Sequence, residues 1–112
     1  MQGKIVVFGA GATGRAHVGL LAWQAGYRIV FVDKNPELVK ALENAGGYKV
    51  KIYGKKTEEI TVTGYDTRHY LERESIADQI AGSDLVLTAV FDQNLSDVAE
   101  TIALSVGKMR RA

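Results

Sequence analysis

Apolar residues along this chain fall into two patterns, short unbroken runs and alternating stretches. Ile5-Val6-Val7-Phe8, Ile29-Val30-Phe31-Val32 and Leu85 to Val90 are the runs. An apolar run bounded by turn formers predicts a strand covered on both faces, the pattern of a parallel sheet. The first strand is expected over Lys4 to Phe8, the second over Arg28 to Val32 with Asp33 at its end, and a third over Leu85 to Val90. Between the first two, helical periodicity predicts a helix from about Ala12 to Ala25, stopped by Gly26. Gly14, Val18, Leu21, Ala22 and Ala25 share one stripe, and Ala16, Leu20 and Trp23 a second. Only Arg15, His17 and Gln24 are strongly polar, so this helix is expected to be covered on more than one side. Asn35-Pro36-Glu37 then supplies an N-cap, a proline at the first helical position and an acid in the first turn. Leu38, Val39 and Leu42 form the inner stripe of that helix, and Gly46-Gly47 ends it.

The period changes after residue 47. "YKVKIY" and "EITVTG" alternate, with Val50 and Ile52 on one face, Ile60 and Val62 on one face, and the polar turn "GKKTEE" between them. This predicts a hairpin at 48–64 with one solvated face, and hence a mixed sheet. Residues 66–73 have no clear period. Ser75 to Asp78 resembles a capping box opening a short helix that closes at Gly82. Asn94 is placed to cap a last helix with the stripe Leu95, Val98, Ala99, Ile102, Val106 and Met109.

Composition narrows the function classes. The chain has 112 residues, 14 basic against 13 acidic, a net charge of +1 and no cysteine. That suits one ordinary domain. It excludes a disulfide scaffold and cysteine metal sites, and fits a reducing cytoplasm. The basic pairs Lys55-Lys56 and Arg110-Arg111 are short, and Glu58-Glu59 lies beside the first, so a nucleic-acid surface is not expected. No apolar run reaches membrane-spanning length, and "MQGKIVV" enters a strand directly, so neither a membrane span nor a signal peptide is expected.

The junction of the first strand and helix reads "FGAGATGR". Strand, G-x-G-x-x-G, helix, strand and acid, in that order, point to a dinucleotide site far more firmly than the glycine spacing alone. Gly9 permits the tight turn, Gly11 lets a pyrophosphate approach the backbone, and Gly14 lets the helix pack close to the sheet. The first N–H groups of the helix, at Ala12, Thr13 and Gly14, face the phosphates at the positive end of the helix dipole. Asp33, 19 residues beyond Gly14, stands where an acid accepts hydrogen bonds from ribose hydroxyls, which favours NAD. Ala10 completes the loop, and Arg15 is as well suited to a phosphate as to plain solvent exposure. The expected fold is α/β, a Rossmann-like three-layer dinucleotide-binding fold with a parallel core and the hairpin. His17 and His69 have no partner at metal-ligand spacing, and Trp23 is read as packing. No Ser-His-Asp set, carboxylate pair or Tyr-x-x-x-Lys relay can be assembled, so no catalytic centre is expected.

From "FGAGATGRAHVGLLAWQAGYRIVFVDKNPELVKALENAGGYKVKIYG", with "SDLVLTAV" and "IALSVGKMRR" further on, the chain resembles the start of mannitol-1-phosphate 5-dehydrogenases and related polyol dehydrogenases. The resemblance implies that 1–112 is part of an N-terminal NAD-binding domain, its catalytic domain absent. It implies an oxidoreductase interconverting mannitol 1-phosphate and fructose 6-phosphate, or a related sugar alcohol or acid, with substrate bound only where the missing domain is present. It also implies that Thr88, Ala89 and Val90 border the cofactor. The chain departs from the family pattern at Ala16 and His17, and at Phe91, where a glycine is usual. A fragment of this kind is expected to self-associate through the third strand's edge and the Leu20/Trp23 face. The alternative is a non-enzymatic NAD-sensing module of the kind that regulates potassium transport, against which the hairpin argues. A flavin site is disfavoured by Asp rather than Glu at position 33, and a methyltransferase by the glycine spacing.

Overall fold

The computed structural model describes residues 3–12, 14–89, 99 and 101–104. Strand β1 (Lys4–Phe8) is followed by a π-helical segment (Gly14–Gly19) that passes into α1 (Leu20–Gln24). Then come β2 (Arg28–Asp33), α2 (Pro36–Ala45), β3 (Gly47–Ile52), β4 (Glu58–Thr63), β5 (Asp66–His69), α3 (Arg73–Ala81) and β6 (Leu85–Thr88). A four-stranded sheet has the order β5-β2-β1-β6 and is parallel throughout. The expected hairpin is present, but among the described residues β3 and β4 pair only with each other, so the main sheet is not itself mixed there. The arrangement is a Rossmann-like α/β fold.

The unbroken apolar runs are explained by what lies on each face. Ile5, Val7, Ile29 and Phe31 pack with Leu20, Ala22, Leu42, Val50 and Val62, under α1, α2 and the hairpin. Val6, Phe8, Val30 and Val32 pack on the opposite face against Ile76 and Ile80 of α3, with Ile102 joining them. Alternate residues of β1 and β2 point to opposite faces, and both faces are covered.

Several local expectations need correcting. Leu21 is 65% exposed and Ala25 is exposed, whereas Leu20 is buried and Trp23 half-buried against the core. The π-helical segment takes more residues per turn than an α-helix, so stripes counted at α spacing fall out of phase after it. The Leu20/Trp23 face is therefore covered. Residues 66–69 form a fourth parallel strand on the sheet edge, held to Val30–Asp33 by backbone pairing. Helix α3 begins at Arg73, with no side-chain bond from its N-cap, Glu72. Ser75 lies inside the helix and its hydroxyl accepts from Arg68 Nε at 2.9 Å instead of capping. Strand β6 is not buried. It is an edge of the sheet among the described residues, and Leu85 is 49% exposed. At the hairpin tip Ile52 is exposed while Val50 and Val62 are buried. Ala99 is exposed and Thr101 is buried in its place; Asn94, Leu95, Val98, Val106 and Met109 lie outside the described residues. No helix among the described residues is long and apolar enough to cross a membrane.

Asn35 caps α2 as expected, its Oδ1 accepting from the N–H groups of Glu37 and Leu38, with Pro36 opening the helix. Gly46 ends it at φ +67°, a left-handed angle that favours glycine.

Candidate functional site

Strand β1 lies between β2 and β6, so the chain leaves it toward one side and returns on the other. The C-terminal ends of such strands form the crevice where open α/β sheets bind ligands. The glycine loop sits there. Gly9 turns out of β1 at φ +102°, an angle that a side chain opposes, and its N–H donates to the Val32 carbonyl at 2.7 Å. A Cβ on Gly14 would collide with the Gly9 carbonyl oxygen, so the helix start can rest against the loop only because residue 14 has none. Among the described residues, a Cβ on Gly11 would meet nothing within 4 Å. The space beside Gly11 is open, as a backbone approached by a ligand requires.

Asp33 ends β2 beside this loop. Its Oδ2 accepts the Ala10 N–H at 2.7 Å and its Oδ1 accepts the Asn35 N–H at 2.9 Å. The carboxylate thus ties the glycine loop to the start of α2. An ionised carboxylate has about four acceptor positions, so roughly two remain for a diol. On the other side of the loop, Thr88 pairs with Phe8, and the Ala89 N–H donates to the Phe8 carbonyl at 2.7 Å. Gly9, Ala10, Gly11, Ala12, Gly14, Asp33, Thr88 and Ala89 therefore share one edge of the molecule. Thr13 and Val90, also expected at the site, lie outside the described residues, as does Phe91.

Arg15 is drawn back toward the loop, its Nε donating to the Gly11 carbonyl at 3.4 Å. Its own carbonyl accepts the Tyr48 hydroxyl at 2.9 Å. Burial pushes the Tyr48 phenol up to about 12, with the neighbouring Tyr65 adding to the rise and Arg15 opposing it. Burial also raises Tyr65, again against Arg15. Ala16 and His17, two of the departures from the family pattern, are both exposed.

The placing of His69 beside Asp33 was not legible in the sequence, whereas Lys34, next to Asp33 in the chain, was a candidate to shelter a 2′-phosphate. His69 pairs with Asp33 in register, and its Nε2 lies 2.8 Å from the Lys34 carbonyl oxygen, which makes Nε2 the protonated nitrogen. Lys34 Nζ sits 5.3 Å from the centroid of the Tyr70 ring. The signal for His69 would have been recognition of β5, whose polar residues hide it. Among the described residues no group of three His, Cys, Asp or Glu side chains is placed to hold a metal ion.

Comparison with known proteins agrees with this geometry. The family model described as the mannitol dehydrogenase Rossmann domain matches residues 3–112. Mannitol-1-phosphate 5-dehydrogenase of Anoxybacillus flavithermus is 41% identical over 104 residues, covering 92% of this chain and 27% of that protein. The enzyme of the same name from Geobacillus thermodenitrificans is 41% identical over 101 residues, 89% of this chain and 26% of the relative. That from Shouchella clausii is 43% identical over 103 residues, 89% and 27%. The chain thus spans about a quarter of the length of these relatives.

Proposed function

The chain belongs to the mannitol dehydrogenase family, as its Rossmann domain, and from that premise we propose that it binds NAD over the Gly9–Gly14 loop. The reading extends to a parent oxidoreductase that interconverts mannitol 1-phosphate and fructose 6-phosphate or a related sugar alcohol. The observation that carries it is the pairing of an open backbone at Gly11 with the carboxylate of Asp33 beside it. Gly11, Ala12 and the first helical N–H groups would hold the pyrophosphate. Asp33 would take the adenosine ribose, and Thr88, Ala89 and Val90 would border the other half of the cofactor. Bound there, NAD supplies the hydride acceptor for oxidation of a polyol carbon.

Asp33 decides the choice of cofactor. Ribose hydroxyls donate to a carboxylate as charge-assisted hydrogen bonds, whereas the 2′-phosphate of NADP brings a like charge. Two unit charges ~4 Å apart at an effective dielectric near 20 repel by about 4 kcal/mol before solvent screening. Lys34, the nearest cation in sequence, lies over the Tyr70 ring. Calorimetric titration of NAD and NADP into wild type and Asp33→Ala tests the reading. The wild type should prefer NAD, and the variant should bind NAD about tenfold or more weakly and lose most of the preference. Equal affinities in the wild type, or an unchanged ratio in the variant, would remove Asp33 from this role.

A further inference from the structure

Two features join the hairpin to the helix that follows the glycine loop. Tyr48, near the start of β3, donates its hydroxyl to the Arg15 carbonyl at 2.9 Å, just inside the π-helical segment. In an α-helix that oxygen would serve the N–H of residue 19. A donor from outside the helix draws the carbonyl outward and favours the longer i→i+5 spacing. The second feature is the bare Cα of Gly19. A Cβ there would stand 2.7 Å from the Tyr48 hydroxyl, 2.7 Å from Phe31 Cζ and 2.9 Å from the Gly14 carbonyl five residues back. Only a glycine at 19 admits the tyrosine to the helix. The ring is held in place by Phe31, edge-on at a centroid distance of 5.9 Å, and by Tyr65 at 5.6 Å. Phe31 is 1% exposed in the middle of the sheet, so this support is firm.

The π-helical segment begins at Gly14, the residue that rests against Gly9. We propose that Tyr48 is a positioning residue for the dinucleotide site. From the hairpin, its hydroxyl holds the start of the helix in π spacing and thereby sets the Gly9–Gly14 loop against β1 and β2. This rests on the reading that the loop binds a dinucleotide. It also gives the hairpin a task, as a brace on the loop.

Tyr65 provides a matched control. It belongs to the same aromatic cluster, but its hydroxyl donates at 2.8 Å to the Leu42 carbonyl of α2 instead of to the helix that follows the loop. Tyr48→Phe and Tyr65→Phe each keep the ring and remove one hydroxyl-to-carbonyl bond, a loss small enough for the fold to persist. NAD is titrated into both and into the wild type, and the backbone amide resonances of residues 14–20 are compared. Tyr48→Phe should weaken NAD binding by about three- to tenfold, the equivalent of one neutral hydrogen bond, and should shift those resonances. Tyr65→Phe should lower the Tm comparably, yet leave affinity within about twofold and the resonances in place. If the wild type binds and the two variants behave alike, the proposal is overturned while the dinucleotide reading stands. If the wild type binds no NAD, the reading falls and the proposal falls with it.

Discussion

Gly9, Gly11 and Gly14 differ in what a methyl group at each would meet. At Gly9 the backbone angle itself opposes a side chain, at Gly14 the Gly9 carbonyl blocks it, and at Gly11 nothing does. Gly14→Ala should therefore destabilise the fold with no ligand present. The obstacle is backbone, which cannot swing aside as a side chain would, so a loss of about 1–3 kcal/mol is expected. Urea unfolding measures it, and a midpoint equal to that of the wild type would show that the loop and helix are not packed as described. Gly9 and Gly14 were legible in the sequence because the backbone angle at one and the Gly9 carbonyl at the other admit only glycine, and Gly11 was legible by its spacing between them. Asp33 was legible by its place at a strand end, though its bonds to Ala10 and Asn35 were not. Tyr48 left no such mark, since many side chains fit a half-buried strand position and its partner is a carbonyl any residue supplies.

At the scale of elements, the sequence reveals what periodicity and caps control. β1, β2 and α2 have strong patterns, and the Asn35-Pro36 start and Gly46 stop of α2 appear where expected. β5 escaped because an edge strand draws its pairing from the backbone of β2 and needs no apolar run. The π-helical segment escaped because the donor to its Arg15 carbonyl, the Tyr48 hydroxyl, lies 33 residues away. The misplaced start of α3 has a similar origin, for Ser75 is engaged by Arg68 across the β5–α3 corner. The hairpin brace has a pH signature. Tyr48 titrates near 10.0 when unfolded and about 12 when folded, so the unfolded chain ionises first. The stability it contributes is fully present below pH 10.0 and is lost as the pH rises toward 12. Unfolding midpoints measured between pH 9 and 12 should fall more steeply for wild type than for Tyr48→Phe, the window being set by this shift. Parallel curves would contradict the burial assigned to this phenol.

For the whole molecule, the sheet order β5-β2-β1-β6 places the loop, Asp33 and Thr88 on one edge, which is the arrangement for holding a cofactor. Oxidising a hydroxyl also requires a group to take its proton. Among the described residues near the loop, Asp33 accepts from two amides and is assigned to the ribose, and His69 is bonded through Nε2 to Lys34 and through Nδ1 to the Leu71 N–H. We expect the 112-residue chain, which spans about a quarter of the length of its relatives, to bind cofactor without turnover. Incubation with NADH and fructose 6-phosphate should leave the absorbance of NADH unchanged, and turnover that follows the protein through purification would contradict this. The central claim, that a dinucleotide lies against the open backbone of the glycine loop, is tested most directly at Gly11. This residue adopts no left-handed angle, and a Cβ there meets nothing within 4 Å among the described residues. Calorimetric titration of NAD into wild type and Gly11→Ala, with unfolding of both as a control, separates folding from binding. The account predicts unfolding free energies within about 1 kcal/mol of each other and NAD affinity at least about tenfold weaker in the variant, as a methyl group displaces the pyrophosphate. No binding by the wild type, or equal affinity in Gly11→Ala, would contradict it.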